Sequence, residues 1–279
     1  MLGIFLVTGA TGNVGAELVR ALADAGEEVR ALTRRAGASG LPPEVRSVAG
    51  DLDRPASLSG AMSGVRGIFL LPGYRDMHGV LDQARRAGVE RVVQLSGASA
   101  ASGDMSNAVS AYMIRSEAAV RESGLAWTIL RPVAFMSNAL RWLPQLQAGD
   151  VVRVPFANVR AACVDPFDIG GVAAAALLED GHEGQVYLPT GPESLSPEEQ
   201  VATLADVLGR DLRFEAQPND EARAEMLKAT PPEYVDAFFD FYVSGSLDES
   251  RVRPTVHDIT GRPPRTFAQW AQAHAGAFA

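Results

Sequence analysis

The fold is decided by residues 3–33: Gly3-Ile-Phe-Leu-Val-Thr8, then Gly9-Ala-Thr-Gly12-Asn-Val-Gly15, then a run to Ala25, then Gly26 and Glu28-Val-Arg-Ala-Leu-Thr33. Gly3–Thr8 is a short apolar run of the kind that makes a buried strand. From Asn13 to Ala25 the apolar residues Val14, Leu18, Ala21, Leu22 and Ala25 recur on one helical face. Gly26 stops the helix and Glu28–Thr33 makes the next strand. The glycines between strand and helix have a physical use. Gly9 lets the chain turn tightly, Gly12 lets the backbone approach a pyrophosphate, and Gly15 lets the helix pack closely on the sheet. The free amides and positive dipole end of the helix would then face the phosphates. Gly9, Thr11, Gly12, Asn13, Val14 and Gly15 are therefore the expected dinucleotide-binding loop. The bland alternative is a turn that binds nothing; the flanking strand and helix argue against it.

Outward from that loop, apolar runs of strand length alternate with helix-periodic stretches. Val45–Ala49, Gly67–Leu71, Arg91–Leu95 and Ala126–Leu130 read as strands. Helices are expected at Pro55–Met62, Asp76–Ala87 and Ala108–Ser123, with Gly88 and Gly124 as stops. Such alternation with short loops means a parallel sheet covered on both faces. After Pro132 the rhythm changes to a helix-like Ser137–Gln147, short strands near Val151–Val154 and Arg160–Val164, and a helix after Pro166. From Glu193 onward the pattern is mostly helical, with Ser196-Pro-Glu-Glu199 offering an N-cap, a proline at the first helical position and acids in the first turn. The expected architecture is a doubly wound α/β Rossmann domain over residues 1–150. A smaller, mostly helical substrate-binding lobe over 151–279 is interwoven with it.

Composition narrows the partners. The chain has 279 residues, 47% hydrophobic and 21% charged, an ordinary balance for a sizeable core. A formal charge of −9 disfavours nucleic acid and anionic membranes, which points to a small-molecule substrate. No apolar run approaches the ~20 residues of a membrane span. Leu2–Val7 runs straight into a glycine loop, unlike a secretion signal. A single cysteine, Cys163, cannot form an internal disulfide, so a cytoplasmic location is expected. His78, His182, His257 and His274 stand at no ligand spacing from one another or from Cys163, so no metal is expected. A homo-oligomer is compatible with this composition but is not deducible from it.

The end of the second strand bears on the cofactor. An acid there would bind both ribose hydroxyls and repel a 2′-phosphate; an arginine does the opposite. The chain has Thr33-Arg34-Arg35, so NADP(H) is expected over NAD(H), with Arg34 at the phosphate unless both arginines are merely solvated. Gly50-Asp51-Leu52 would bring a carboxylate and an apolar side chain to the adenine edge, or Asp51 serves as a helix cap or turn residue. Leu71 in Leu70–Gly73 and Ser96 in Ser96–Ser99 end strands on the same sheet edge and should line the cofactor cleft.

Together these residues resemble the NmrA-like atypical short-chain dehydrogenases. The resemblance rests on Thr8–Gly15, Gly50–Leu52, Ala87–Val93 leading into Leu95-Ser96, Glu117 followed by Ser123-Gly-Leu125, Trp127–Pro132 and Phe135–Asn138. It continues through Asp165–Ile169 and Thr260-Gly-Arg-Pro-Pro264, and so covers nearly the whole chain. It implies NAD(P)H held by Gly9, Thr11, Gly12, Asn13 and Gly15, with Arg34 at the 2′-phosphate and Asp51 and Leu52 at the adenine. It also implies either a reductase of quinone or phenolic compounds or a redox-sensing regulator without catalysis.

Short-chain dehydrogenases reduce carbonyls with a Tyr-x-x-x-Lys pair, in which the lysine lowers the tyrosine pKa. That pair is absent. The sole lysine is Lys228, with Ala224 four residues before it, and four residues after Tyr112 stands Ser116. In family members that keep the lysine it precedes the matched glutamate by four, the place of Met113 here. A quinone or activated alkene can still take hydride, with the proton supplied by water or a weak acid. Tyr112 is the candidate acid and Ser96 or Ser99 its hydrogen-bond partner; otherwise Tyr112 packs by its ring. Arg115 could stabilise a developing oxyanion but on this reading faces solvent, and Glu117 supports its own helix rather than performing acid–base chemistry. The expected substrate wall is Val133, Phe135, Met136, Trp142 and Phe156, while Tyr234, Phe238, Phe239, Phe241 and Tyr242 read as core by their helical spacing. Asp165 and Asp168 read as caps of the helix after Pro166. The leading function is an NADPH-dependent oxidoreductase acting on a small apolar or quinone-like acceptor. The alternatives are a non-catalytic NADP(H) sensor that binds a protein partner, and a non-redox isomerase or dehydratase.

Overall fold

The computed structural model describes residues 3–34, 37 and 40–278; Leu2 and Arg35 lie outside the described residues. The strands are β1 (Ile4–Thr8), β2 (Glu28–Thr33), β3 (Arg46–Ala49), β4 (Val65–Leu70), β5 (Arg91–Leu95), β6 (Ala126–Leu130), β7 (Val151–Val154), β8 (Gln185–Tyr187) and β9 (Arg213–Ala216). The helices are α1 (Asn13–Asp24), α2 (Ser59–Met62), α3 (Met77–Arg86), α4 (Ala108–Glu122), α5 (Leu143–Ala148), α6 (Pro166–Leu178), α7 (Pro197–Leu208), α8 (Asn219–Met226), α9 (Pro232–Tyr242), α10 (Thr255–Thr260) and α11 (Phe267–Ala273). Seven strands form one parallel sheet in the order β3-β2-β1-β4-β5-β6-β8. The strand order reverses between β1 and β4, which opens the crevice where doubly wound sheets bind ligands.

Each face of the sheet has its own apolar layer. Phe5, Val7, Phe69 and Val93 pack under α1 and α6, while Leu6, Ile68, Leu70 and Val92 pack under α3 and its neighbours. This alternation along each strand is the two-residue period of a sheet buried on both sides. The α1–α6 approach is close because Gly170 is bare: a Cβ there would come 2.9 Å from the Leu18 amide. A third core in the C-terminal region gathers Trp270, Phe267, Leu204 and Val152. Elements beyond residue 150 also enter the sheet layers, α6 covering one face and β8 extending the edge.

Three details depart from the sequence pattern. The three residues of β8 pair with β6 through Ile129↔Val186 and its neighbours, a strand too short to show any period. Arg160–Val164 is not a strand: it makes only isolated bridges, Ala161↔Leu195, Ala161↔Glu249 and Phe135↔Val164. Within the region read as helical, β9 pairs in parallel with β7 to make a second small sheet. Its Arg-Phe-Glu-Ala alternates polar and apolar over only four residues, too short a run to stand out, so pairing with β7 makes it a strand.

At the start of α6, Asp165 caps the helix by accepting from the Phe167 amide at 2.9 Å. Asp168 does something else. Fully buried, it accepts from the Arg265 amide at 2.7 Å and ties the segment before α11 to α6. Burial pushes its carboxyl up to about 6, against the pull of that amide and of Arg262 and Arg265.

Candidate active site

The glycine loop closes at the carboxyl end of β1. Gly9 has φ +62°, and its carbonyl accepts from the Gly12 amide at 2.9 Å. Gly12 is the N-cap of α1 and brings no side chain to bond the first-turn amides. Those amides are left for an outside acceptor, and Thr11, Gly12 and Asn13 are exposed beside them. A Cβ on Gly15 would lie 2.1 Å from the Gly9 carbonyl oxygen. Its bareness therefore lets the helix start against the loop's own backbone, a different reason from packing on the sheet. A Cβ on Gly9 would strike Leu71 at 2.6 Å, so Leu71 walls the loop, and its amide bonds Thr8 Oγ1 at 3.0 Å. Val14 is buried, so its side chain serves the core. Asn13 donates to Ser137 at 3.0 Å, joining the loop to the segment after β6. An uncapped helix end behind a bare glycine cradle fits a dinucleotide pyrophosphate.

At the adenine end, Arg34 is exposed beyond β2. Arg34, Asp51 and Asp53 share a corner with half-buried Tyr74: burial first, then the two aspartates, push its phenol up, and Arg34 opposes them. Asp51 fills the turn role left open above. Its carboxylate accepts from the Asp53 amide at 3.0 Å and lies 3.7 Å from Arg54. Leu52 is buried in the core. Sequence reasoning missed Tyr74 and Asp53, although Tyr74 directly follows the Leu70–Gly73 loop that it did select.

At the opposite end, beyond β4 to β6, Tyr112 of α4 lies against the Gly73 turn, where a Cβ would meet its ring at 3.3 Å. Ser116 fixes that turn, accepting from the Gly73 amide at 2.9 Å and donating to the Tyr112 carbonyl at 2.8 Å. The Tyr112 ring meets Tyr234 edge-on with centroids 6.4 Å apart. Burial, and then Tyr234, push its phenol up. Among the described residues, no hydrogen bond joins the Tyr112 hydroxyl to Ser96 or Ser99, the partners expected for it. Ser96 is buried and donates to Glu117 at 2.6 Å, so its proton is committed there, and the Ser99 carbonyl accepts from Ser102. Arg115 is exposed.

Glu117 does more than support its own helix. It is 1% exposed and takes bonds from Ser96, from Arg131 at 2.8 and 2.6 Å, and from Arg121 at 2.9 Å, which lock α4 to the ends of β5 and β6. Burial alone would raise its pKa, but these donors hold the carboxyl below its usual range.

The expected substrate wall divides. Met136 and Trp142 are 2% and 8% exposed and pack into the C-terminal core, which absorbs their side chains, and Val133 is buried in the sheet core. Phe135 is half-buried. Phe156 is the one non-glycine residue with positive φ among the described residues, and its ring meets Phe239 and Tyr242, each at 5.2 Å. Only Phe241 of the α9 aromatics is fully core; Tyr234, Phe238, Phe239 and Tyr242 are half-buried. Thus α9 spans from Tyr112 to Phe156, anchored by Asn107, which donates to the Ala237 carbonyl and to Asp240. The Tyr242 hydroxyl donates to Glu249 at 3.0 Å. Glu249 carried no sequence signal. Next to it, Cys163 is buried and its thiol pushed up to about 12, by burial and then by Glu249, which makes it a poor nucleophile.

Comparison with known proteins gives this geometry its family. Residues 9–165 match the family model described as NAD(P)H-binding. A (4-alkanoyl-5-oxo-2,5-dihydrofuran-3-yl)methyl phosphate reductase of Streptomyces griseus subsp. griseus is 41% identical, over 99% of each chain. An NAD(P)H azoreductase of Xenophilus azovorans is 36% identical, also over 99% of each chain. The NADPH-dependent quinone oxidoreductase of Escherichia coli shares the fold with a TM-score of 0.79 at 22% identity, covering 98% of this chain and 99% of that one. NmrA-like proteins share the fold as well. The chain belongs to the NAD(P)H-binding family. It is an NAD(P)H-dependent oxidoreductase. No helix among the described residues is long and apolar enough to cross a membrane.

Proposed function

We propose that this oxidoreductase prefers NADPH and reduces a small conjugated acceptor, a quinone, an azo bond or a butenolide-type alkene, lying between Tyr112 and α9. The observation that carries the reading is the state of the phenol on α4. The chain's one lysine, Lys228, is not among the groups that shift the Tyr112 phenol, and burial makes its hydroxyl a weaker acid rather than a stronger one. An isolated carbonyl reduced there would leave an alkoxide with no activated proton donor. A conjugated acceptor delocalises the charge that arrives with hydride and tolerates a weak or slow donor. The names of the two full-length relatives fit such acceptors, a butenolide phosphate and an azo compound.

When bound, the cofactor would supply the hydride. The α1 amides and the glycine loop would hold its pyrophosphate, Thr11 and Asn13 would flank it, and Leu71 would fix its depth. Arg34 would meet the 2′-phosphate, and the preference for NADPH over NADH would come from that exposed guanidinium. Asp51 belongs to the adenine corner by its turn, with Leu52 beneath. Tyr112, Tyr234, Phe135 and Phe156 would enclose the acceptor's apolar body, and Ser96 would keep α4 in register through Glu117.

The test is turnover of NADPH stereospecifically deuterated at the nicotinamide C4 with a quinone, an azo dye and an acyl-butenolide. Carbon-bound label in the reduced butenolide, or a primary isotope effect on NADPH oxidation with the quinone or the azo dye, supports the reading. Tight NADPH binding without oxidation by any of the three would move the chain to the non-catalytic alternative.

A further inference from the structure

We propose that Met113 of α4 forms the nicotinamide wall of the crevice and, as a neutral thioether, limits the site to acceptors that spread the charge arriving with hydride. This rests on the reading above that the acceptor is conjugated.

The place of Met113 follows from the helix. Glu117 accepts from the hydroxyl of Ser96, the first residue after β5, at 2.6 Å. Met113 comes four residues earlier, so it shares that helical face and lies about 6 Å nearer the helix N-terminus. α4 connects β5 to β6, which pair in parallel, so the helix runs back along the sheet and its first turns stand beyond the carboxyl ends of the strands. Met113 therefore projects over the end of β5. Its terminal methyl agrees: a Cβ built on Gly97 would lie 3.4 Å from it. Gly97 is extended, with φ −153° and ψ 158°, so its use there is the missing side chain. Tyr112, the preceding residue, rests in the same way on Gly73 past the end of β4.

The place of the nicotinamide follows from the sheet. The pyrophosphate loop is at β1 and the adenine corner at β2 and β3, and β4 and β5 come next on the far side of β1. A dinucleotide laid across the crevice thus carries its nicotinamide to the ends of β4 and β5. The Gly73 and Gly97 turns are there, and Tyr112 and Met113 cover them. Met113 is half-buried, which leaves part of its side chain open to a ligand.

The charges around this wall are already engaged. Arg131 and Arg121 close on Glu117, and Ser96 donates to it. Arg115 is exposed, and no cation acts on the Tyr112 phenol, which burial and then Tyr234 push up. A thioether packs on a ring without offering a proton or a charge. Hydride, two electrons and one hydrogen, passes from the reduced nicotinamide to the acceptor, and the nicotinamide is left oxidised. An isolated carbonyl would then hold a full negative charge on one oxygen beside an apolar wall that does nothing to stabilise it. A conjugated acceptor spreads the charge until water supplies the proton.

The experiment uses the full-length protein, Met113→Lys, a second cationic variant Met113→Arg, and Ala118→Lys, which puts the same charge on an exposed position of α4. Calorimetric titration with NADPH, NADP⁺ and 2′,5′-ADP reads the contact without turnover. The oxidised nicotinamide is a cation and the reduced one is neutral. Both Met113 variants should therefore raise the ratio of the NADP⁺ Kd to the NADPH Kd about tenfold and leave 2′,5′-ADP binding unchanged. Ala118→Lys should leave the ratio as in wild type. With an aldehyde and a quinone as acceptors, Met113→Lys should raise the aldehyde-to-quinone ratio of kcat/KM about tenfold or more. A nucleotide ratio that neither Met113 variant moves, or that Ala118→Lys moves equally, would overturn the proposal. A nucleotide ratio that moves while the acceptor ratio does not would overturn the selection and leave the acceptor reading intact. A wild type that reduces the aldehyde as readily as the quinone, or reduces neither, would overturn both.

Discussion

Two glutamates are withdrawn from water at the carboxyl edge of the sheet, and their surroundings move their pKa values in opposite directions. Glu117 on α4 receives Arg131, Arg121 and Ser96, and stays ionised. Glu249 receives a phenol and an amide, and its pKa rises. Burial is common to both. The difference lies in the donors: guanidinium groups offset the desolvation of a carboxylate, whereas neutral donors do so only partly. The first is a fastening between α4 and the ends of β5 and β6, and the second a neutral-donor contact between α9 and the segment after β6.

The largest way to break the comparison is to remove the fastening. Glu117→Ala leaves the partly buried Arg131 without its carboxylate and should cost about 3–5 kcal/mol of stability, read by denaturant unfolding. In wild type the depressed Glu117 pKa adds stability above the unfolded carboxylate pKa, and that contribution is lost as acidification passes its folded pKa. Asp168 sharpens the contrast because it is a buried carboxyl of the other kind. Its pKa is raised from 3.8 to about 6, so the folded state holds the extra proton, and stability present below the unfolded pKa is lost as pH rises through about 6. Asp168→Asn should flatten that slope and recover up to about 3 kcal/mol above pH 6; an unchanged slope would contradict the assignment.

An exposed charge should matter to binding alone. Arg34→Ala is expected to weaken NADPH binding about tenfold, close to 1.4 kcal/mol, without changing NADH binding; calorimetric titration with both nucleotides distinguishes this from a general loss. The smallest effect is on the stability of Glu249→Gln. An amide of the same shape still accepts from the Tyr242 hydroxyl and should shift unfolding by less than about 1 kcal/mol. A loss as large as that of Glu117→Ala would mean that Glu249 is a second fastening.

What the sequence revealed follows the length scale of each interaction. β1, α1 and β2 were legible because apolar period and glycine punctuation act within a few residues. Leu71 and Tyr112 were legible as residues, and their neighbours were not. The Ser96–Glu117 bond joins positions 21 residues apart, and the bond between Asn13 and Ser137 spans 124. Glu249 was invisible because Leu247-Asp-Glu-Ser250 reads as a polar turn; its burial is created by Tyr242, Ala134 and Ala162 converging in space. β8 and β9 escaped for the same reason, each being made a strand by its partner.

The central claim is hydride delivery to a conjugated acceptor, and transfer of deuterium from labelled NADPH tests it most directly. The account predicts one carbon-bound deuterium in the product of butenolide reduction, from one face of the nicotinamide only, and a primary isotope effect on NADPH oxidation by a quinone, whose O–D exchanges with water. Butenolide product formed without label, or NADPH bound and never oxidised, would contradict it.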